Sequence, residues 1–513
     1  MERRDFLKYA LFFAGTTLSS RLCDAMGVKS AGNMIDQKQA KQHPNIVFIM
    51  ADDMGYGDVN HLNPDSKIPT PYMDALAAEG MYFTNAHSPS SVCTPTRYGV
   101  VTGRYSWRGR LKRGNIDGYD KLLIESGRQT VASILKDHGY RTGCIGKWHL
   151  GLTNQQPVDY SRPLTPGPNE VGFDYWFGIP ASLDMPPYCY VENGLVTEPL
   201  TATLAKEPMP LFLRDGEASP GFDIDEVLPK TTDKACWFIE DHVTNHADKP
   251  FFLYFPMTAP HTPWLPLEEN HQRSQAGMYG DFVTLVDDCV GQVMKTVEEL
   301  GIKEDTLFIF TTDNGAKISY IGNHDNSVSD SSQHNFGHHA NYIFRGQKSD
   351  VWDGGTRVPF IARWPGIIKP GSKSDEIISL IDLTATAADI IGYRLPDDAA
   401  EDSHSILPVL QGRALTEPIR EATITHSVRG EFAIRTGRWK FLDCVGSGGW
   451  SGPGDGLPGQ LYDMVADPGE QNNLYESPDH QPIIEELKAL LEKHKAQGFS
   501  RPMERMGRVR TRP

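Results

Sequence analysis

The feature that most constrains the fold is a set of largely apolar runs between helix-like segments. The runs cover residues 45–50, 141–146, 250–255 and 306–312. A strand that is apolar along its whole length is buried on both faces of a sheet. Patterns of helical spacing lie between these runs, at residues 70–79, 130–138, 278–300 and 383–391. The alternation predicts an α/β fold with a large, mainly parallel sheet sandwiched by helices.

Polar residues stand where each of these predicted strands ends. They are Asp52 and Asp53, Lys147 and His149, His261 after a short turn, and Asp313 and Asn314. In an open α/β sheet the carboxyl ends of the strands meet at one edge, and binding sites form just beyond it. We therefore expect these side chains to converge on one site.

Four of these residues offer only oxygen ligands: Asp52, Asp53, Asp313 and Asn314. Oxygen ligands suit a hard cation such as Ca²⁺ or Mg²⁺ and not zinc, and a larger, flexible site favours Ca²⁺. Taken singly, an Asp-Asp or Asp-Asn-Gly sequence is more commonly a solvated turn or a helix cap. Their recurrence at the ends of several buried strands favours a metal site over that structural interpretation.

A second feature is the sequence Cys-Thr-Pro-Thr-Arg at residues 93–97. Proline is tolerated in the first turn of a helix, so Pro95 predicts a helix that begins at or just after Cys93. Free backbone N–H groups and the helix dipole favour negative charge at that end, and Arg97 follows one turn later. This environment suits an anion. The alternative is an ordinary buried cysteine in a chance pattern.

Together with Thr102-Gly103-Arg104, this motif resembles the signature of the type I sulfatases of the alkaline-phosphatase superfamily. The resemblance implies that Cys93 is oxidised after translation to formylglycine, whose hydrated aldehyde is the nucleophile. It also implies a formylglycine-generating maturation enzyme as a partner. The fold implied is a large α/β domain with a small α+β domain packed on it.

The resemblance covers nearly the whole exported chain and implies a role for each candidate residue. The metal ligands would be Asp52, Asp53, Cys93, Asp313 and Asn314. By the same resemblance, the formylglycine hydrate would be contacted by Arg97, Lys147 and His149. His261 would protonate the leaving group as general acid, and Lys348 would bind the sulfate oxygens. Holding the three peripheral oxygens of a sulfate ester while the bridging oxygen departs requires this concentration of positive charge.

The activity implied is hydrolysis of sulfate monoesters. Residues 345–360, with the histidine-rich stretch before them, look similar to bacterial arylsulfatase A-like enzymes related to those that desulfate glycans, so we expect a sulfated sugar at a chain end. A small aryl sulfate is an alternative substrate. Phosphonate monoester and phosphodiester hydrolases share the nucleophile motif, and a sulfated-glycan-binding protein with an unoxidised cysteine is the non-catalytic alternative.

The chain divides into three predicted parts. Residues 1–30 carry Arg3 and Arg4 before a short apolar run, which indicates an export signal resembling the twin-arginine type, without a membrane span. A periplasmic or cell-surface location in a bacterium follows. Residues 44–412 form the catalytic α/β domain, and residues 413–513 form a small α+β domain with short strands and a final helix.

Two segments carry weaker signals. Residues 157–229 are rich in proline, glycine and aromatic residues, and we expect long loops that rim the site. The polar stretch 323–341 contains His324, His334, His338 and His339, which either line a substrate pocket or populate a flexible loop.

Composition excludes some classes of protein. The net charge of −16 argues against nucleic acid as a partner, so any anion must bind in a local basic pocket. The 7 cysteines show no paired spacing, which excludes a disulfide framework, although one or two bridges stay possible.

Overall fold

The computed structural model describes residues 43–208, 211–318 and 336–503. The predicted export signal lies outside these residues and stays a prediction. The strands are β1 Asn45–Asp52, β2 Met81–Phe83, β3 Ala86–His87, β4 Arg141–Lys147, β5 Tyr175–Ile179, β6 Val191–Glu192, β7 Leu195–Val196, β8 Ala202–Leu204, β9 Gly216–Ala218, β10 Phe251–Pro260, β11 Thr306–Thr312, β12 Phe360–Arg363, β13 Ser372–Ser374, β14 Ile378–Ser379, β15 Thr423–His426, β16 Phe432–Arg435, β17 Trp439–Leu442 and β18 Gln460–Asp463. The α-helices are α1 Pro71–Glu79, α2 Cys93–Thr102, α3 Val131–Asp137, α4 Val227–Asn245, α5 Gly277–Glu299, α6 Asp353–Thr356, α7 Leu383–Ile390, α8 Leu407–Leu410 and α9 Gln481–Gln497.

A ten-stranded sheet with the order β13-β2-β12-β11-β1-β10-β4-β5-β6-β7 forms the centre of the molecule. The four strands predicted from the apolar runs are β11, β1, β10 and β4, which are neighbours and run parallel. Antiparallel pairs occur toward the edges, where β12 joins β11 and β6 joins β5. The prediction of a large, mainly parallel sheet is confirmed, and the carboxyl ends of its central strands lie at one edge.

Helices cover both faces of this sheet. Val47 and Ile49 of β1 belong to an apolar cluster that includes residues of α4 and α5. Their neighbours Ile46 and Phe48 belong to a second cluster that includes residues of α2 and α3. Since successive side chains of a strand point to opposite faces, β1 is apolar from Ile46 to Ala51 because it contributes to two cores.

The expectation that residues 157–229 form only loops is wrong. Strand β5 within this stretch extends the sheet by pairing with β4, and the strands β6 to β9 and the start of α4 follow. The run Tyr175–Ile179 is short and stands among turn-forming residues, so its pattern alone is weak. Its strand conformation is stabilised by the hydrogen bonds that β4 supplies, which only the tertiary structure shows.

The C-terminal part contains the predicted short strands and the final helix. Strands β15 to β18 form a four-stranded antiparallel sheet, and α9 buries Ile484, Leu487 and Leu491 in a cluster with residues of that sheet. Tyr105 and Trp107 from the preceding region belong to the same cluster. The position of the domain boundary near residue 412 stays a prediction.

The six cysteines in the described ranges are all buried and form no disulfide bond: Cys93, Cys144, Cys189, Cys236, Cys289 and Cys444. The absence of a disulfide framework therefore holds for these six residues. Among the helices within the described ranges, none combines the length and the apolar character that crossing a bilayer requires.

Candidate active site

The residues that follow the central strands meet at the carboxyl edge of the sheet. Two of them have backbone conformations that non-glycine residues seldom adopt, since φ is 66° at Asp53 and 54° at His149. Ser349, next to Lys348, has a φ of 84°. Such conformations concentrate at functional sites, where the surrounding structure holds a side chain in a required direction.

Helix α2 begins with Cys93, as the sequence predicts, and Pro95 lies within its first turn. The helix ends at Gly103, which adopts a left-handed φ of 67° that glycine accepts without strain. The Cys93 side chain is buried, and its Sγ lies 3.4 Å from Asp52 Oδ1 and 3.7 Å from Lys348 Nζ. The sulfur atom therefore lies at a helix N-terminus, in contact with both an aspartate carboxylate and a lysine ammonium.

Three cations face three carboxylates around Cys93, and all six side chains are buried. The shortest distances are 2.6 Å from Lys147 Nζ to Asp52 Oδ2, 2.6 Å from Lys348 Nζ to Asp53 Oδ2, and 2.7 Å from Arg97 Nη2 to Asp313 Oδ2. Buried charges at such distances are tolerable only because each has a partner of opposite sign. The balance of charge leaves the site able to accept a further cation together with an anion.

The surroundings of Cys93 hold it in the neutral form. Burial, reinforced by the Asp313 carboxylate, raises the pKa of the Cys93 thiol well above its ordinary value. Burial alone would also raise the pKa of Asp53, but the Lys348 ammonium lowers it below the ordinary value. Asp53 is therefore charged at neutral pH whereas the Cys93 thiol is not, and an unmodified Cys93 is a poor nucleophile.

The two predicted histidines occupy different environments. His149 Nε2 lies 2.8 Å from the carbonyl oxygen of Ile116 and donates to it, and Nδ1 has no hydrogen-bond partner in the described ranges. Burial lowers the pKa of His149 well below its ordinary value, so this ring is a neutral acceptor. His261 Nε2 lies 3.6 Å from Asp53 Oδ2.

The donor set fits a hard divalent cation. One ligand atom each from Asp52, Asp53, Cys93 and His261 lies within 4.8 Å of the other three. Asp313 adjoins this group by accepting a hydrogen bond from Asp53 N. Asn314 Nδ2 donates to Asp53 Oδ1 at 2.7 Å, which leaves the buried Asn314 Oδ1 without a hydrogen-bond partner among described residues.

An unsatisfied buried carbonyl oxygen is costly unless a donor or a cation meets it. Burial and the Asp52 carboxylate also raise the pKa of Asp313, so added positive charge would stabilise this group. The residues present therefore fit Ca²⁺ or Mg²⁺, with the oxygen atoms as ligands.

A cavity of about 180 Å³ opens next to the charged cluster. It is lined by Asp53, Asn115, Asp184, Met185, Phe212, Arg214, Pro260, His261, Thr262, Trp264, Tyr279, Lys317, Lys348 and Trp450. This lining combines aromatic and charged side chains, which suits a ligand with both an apolar face and polar groups.

Several residues in or beside this site were not found by sequence reasoning. Ser182 accepts a hydrogen bond from Lys147 Nζ at 3.1 Å and lies 3.5 Å from His261 Nδ1, and Asp184 lies 4.0 Å from the same nitrogen. Both follow β5, so the rule that polar residues follow buried strands would have found them had that strand been recognised. Burial lowers the pKa of Lys317 to about 7, and no pattern in the sequence marks this lysine.

The two described histidines of the polar stretch, His338 and His339, occupy different environments. His324 and His334 lie outside the described residues. His338 is buried, with Nε2 2.7 Å from Asp58 Oδ1, and its Nδ1 accepts a hydrogen bond from Lys67 N at 3.2 Å, which is a structural role. His339 is exposed and lines cavities other than the one beside Cys93.

Comparison with known proteins gives consistent matches over most of the chain. The family model described as Sulfatase matches residues 44–393, and the model described as N-sulphoglucosamine sulphohydrolase, C-terminal, matches residues 344–497. An N-acetylgalactosamine-6-O-sulfatase of Bacteroides thetaiotaomicron is 35% identical over 494 residues, which cover 89% of this chain and 94% of that protein. Arylsulfatase A of Homo sapiens is 32% identical, covering 84% of this chain and 83% of that protein.

A similar chain has also been solved in work on the metabolism of multiple glycosaminoglycans by Bacteroides thetaiotaomicron. It superimposes with a TM-score of 0.79 at 33% sequence identity, covering 89% of this chain and 100% of that chain. The similarity therefore extends over the central sheet, the charged cluster and the C-terminal sheet.

Proposed function

Since this chain belongs to the sulfatase family and is a sulfuric ester hydrolase, we propose that it removes sulfate from a sulfated carbohydrate, with residue 93 as the nucleophile. The observation that carries the proposal is the arrangement of three buried carboxylates and three buried cations around Cys93 at the start of α2. This arrangement can hold a divalent cation and the oxygens of a sulfate ester side by side.

The proposal includes conversion of Cys93 to formylglycine. Its support is that the thiol is buried and protonated, so the unmodified residue is a weak nucleophile. When present, the hydrated aldehyde supplies an attacking hydroxyl and a second hydroxyl on the same carbon, through which sulfate can be expelled. Arg97 Nη2 and Lys147 Nζ lie 3.5 Å and 2.6 Å from the Asp52 carboxylate, which itself lies 3.4 Å from Cys93 Sγ, and this supports a role for both cations on the hydrate. The Nδ1 atom of His149, which has no hydrogen-bond partner among the described residues, is the proposed acceptor for one of the hydrate protons.

The metal in this proposal is Ca²⁺, held by the side-chain oxygens of Asp52, Asp53, Asp313 and Asn314 together with residue 93. It would supply positive charge to the nucleophile and to one sulfate oxygen. Lys348 contributes to the same task from the cavity side, because it pairs with Asp53 while lying 3.7 Å from Cys93 Sγ.

His261 is the proposed general acid. It lines the cavity, and hard cations prefer oxygen ligands, so its imidazole is better suited to the leaving group than to the metal. The proton on His261 would pass to the bridging oxygen as the S–O bond breaks, which matters most for an alcohol that leaves poorly. The other ring nitrogen, Nδ1, lies 2.6 Å from the carbonyl oxygen of Thr262, which orients the ring, and Ser182 Oγ lies 3.5 Å from the same nitrogen.

The preferred substrate is a sulfated amino sugar at the end of a glycan. The N-acetylgalactosamine-6-O-sulfatase relative supports this class. The cavity of about 180 Å³ is smaller than the roughly 300–1,000 Å³ of pockets for drug-sized ligands, which favours a single sugar ring over an extended chain. A periplasmic or cell-surface location remains part of the proposal and rests on the sequence of residues 1–30.

The test uses the mature protein isolated from its own source, so that maturation is complete. We expect the peptide that contains residue 93 to have the mass of formylglycine. We expect sulfate release, measured by ion chromatography, from 6-sulfo-N-acetylgalactosamine and from 4-nitrophenyl sulfate. Bis(4-nitrophenyl) phosphate is the comparison substrate, because related hydrolases of phosphorus esters share the nucleophile motif.

Three outcomes would contradict the proposal in different ways. A wide preference for the phosphodiester would assign the chain to phosphoryl transfer. Release of sulfate from the aryl ester alone would leave a sulfatase without a carbohydrate substrate. An intact thiol at residue 93, with binding of the sulfated sugar but no release, would assign a binding protein.

A further inference from the structure

We propose that Trp450 is a stacking platform for the sugar ring of the substrate, presented to the active site by a loop of the C-terminal region. This inference rests on the proposed carbohydrate substrate. Trp450 lines the same cavity as His261 and Lys348, yet 37% of its surface is exposed. Tryptophan is highly buried on average, so an exposed indole at the mouth of a cavity is a candidate for ligand contact.

The backbone of Trp450 is held firmly although its ring is open to solvent. Its N–H lies 3.0 Å from both Ser349 Oγ and Asp350 Oδ1 and donates to them, and Ser451 N donates to Asp350 Oδ1 at 3.2 Å. These acceptors directly follow Lys348. The loop is therefore anchored to the segment that carries the sulfate-binding lysine, about one hundred residues away in the sequence.

Glycine makes this close approach possible. A side chain on Gly449 would place its Cβ 2.4 Å from the carbonyl oxygen of Ser349 and 2.5 Å from Asp350 Oδ1, where no such atom fits. Gly448 has a left-handed φ of 60°. The glycine-rich sequence before Trp450 thus has a specific purpose, because it allows the loop to lie against the catalytic segment.

The surroundings of the ring suit one face of a sugar. Lys317 Nζ lies 4.6 Å from the centroid of the Trp450 ring and 5.7 Å from that of Phe212, so one amine lies against both aromatic rings at this part of the cavity. Arg214 and Asp184 provide polar groups on the same cavity. A sugar ring has an apolar face of C–H bonds and an edge of hydroxyl groups, which matches an indole flanked by charged side chains.

Binding of a sugar would require little additional ordering of the protein around Trp450. The hydrogen bonds that anchor residue 450 come from its main chain, so they survive replacement of the side chain. The indole is consequently free to serve binding without being needed for the loop's conformation. A preformed aromatic surface gives affinity because few rotatable bonds must be fixed on binding.

The test compares steady-state kinetics of the full-length mature protein and its variants on 6-sulfo-N-acetylgalactosamine. Trp450→Leu keeps apolar bulk without a flat face, and Trp450→Phe keeps a smaller flat face. We expect kcat/KM to fall about tenfold in Trp450→Leu, mostly through a higher KM, because the ligand would lose the apolar contact area that the indole provides. Trp450→Phe should retain most of the activity.

Two controls separate stacking from damage to the site. Trp237 is 40% exposed on α4 and packs against Tyr175, at the amino end of β5 and hence at the opposite edge of the sheet. Trp237→Leu should leave kcat/KM unchanged. Inhibition by inorganic sulfate, which would use the cations and not the platform, should be equal in wild type and Trp450→Leu.

Unchanged kcat/KM on the sulfated sugar in Trp450→Leu would overturn the stacking role while leaving the proposed function intact. Equal losses in Trp450→Phe and Trp450→Leu, with weakened sulfate inhibition, would overturn it in favour of an effect on Lys348. Absence of sugar turnover by the wild type, with 4-nitrophenyl sulfate still cleaved, would overturn the carbohydrate substrate and the stacking role together.

Discussion

Replacement of Lys440 by methionine tests how the C-terminal sheet is coupled to the catalytic segment. Lys440 on β17 is 2% exposed, and its Nζ lies 2.7 Å from both Asp353 Oδ1 and Glu470 Oε1. Asp353 begins α6, five residues after Lys348. The substitution keeps a similar volume but leaves two buried carboxylates facing each other with less positive charge between them.

The contacts of Lys440 predict a large loss of stability in Lys440→Met. Asp353 keeps Arg435, whose Nη1 lies 2.9 Å from Asp353 Oδ2, whereas Glu470 loses the lysine with which it is paired. Removing one partner of a buried ion pair costs about 3–5 kcal/mol, because the remaining charge is left without compensation. The double variant Lys440→Met/Glu470→Gln should recover most of this loss, since the amide is neutral and still accepts the N–H of Asp353.

The effect should depend on pH. Burial raises the pKa of Glu470 from its ordinary value of 4.5 to about 7. Between these values the folded state binds more protons than the unfolded state, so the free energy of unfolding falls as the pH rises. The free energy of unfolding of the wild type should level off above about pH 7, when Glu470 ionises beside Lys440. Lys440→Met should continue to lose stability, because the missing cation moves this pKa higher still.

The assay is urea-induced unfolding at pH 5.5 and pH 8.5, with recovery of the native signal on dilution checked for each protein. Lys493→Met is the control, because Lys493 and Glu421 form an exposed pair at 3.3 Å that should contribute less than about 1 kcal/mol. A cost below about 1 kcal/mol for Lys440→Met at pH 8.5, or no recovery in the double variant, would refute the reasoning.

Three further predictions concern the chemistry of the site. Cys93→Ser should abolish sulfate release while the melting temperature stays near that of the wild type, since the side chains are similar in size; wild-type rates would exclude residue 93 as the nucleophile. His261→Ala should reduce hydrolysis of a sugar sulfate at least tenfold more than that of 4-nitrophenyl sulfate, because nitrophenolate leaves without protonation; equal losses would exclude a general acid. Asn314→Ala should raise the Ca²⁺ concentration needed for half-maximal activity after chelation, because one oxygen ligand is lost; an unchanged requirement would exclude Asn314 as a ligand.

Much of the fold could be predicted because its strongest signals are local. The central strands β1, β10 and β11 are buried at every position and are apolar at most of them, as expected of strands buried on both faces. Pro95 likewise marks the first turn of α2 by its own geometry. The residues after these strands could be grouped into one site, since parallel strands bring their carboxyl ends together.

The features of the fold and the site that could not be predicted depend on contacts between distant parts of the chain. Strand β5 has a weak pattern of its own and forms because β4 pairs with it, so Ser182 and Asp184 after it were missed. The histidines gave no usable signal, because burial decides their role: His338 is paired with Asp58, and His339 is exposed.

The sequence by itself therefore determined the class of fold, the start of the helix that carries Cys93, and the strand ends at which the proposed metal ligands lie. Apolar periodicity and the geometry of proline act over a few residues, and a sequence displays them directly. The tertiary structure alone decided which side chains form the substrate cavity. Trp450 reaches it because Asp350 anchors its loop about one hundred residues away, a contact that no local pattern encodes.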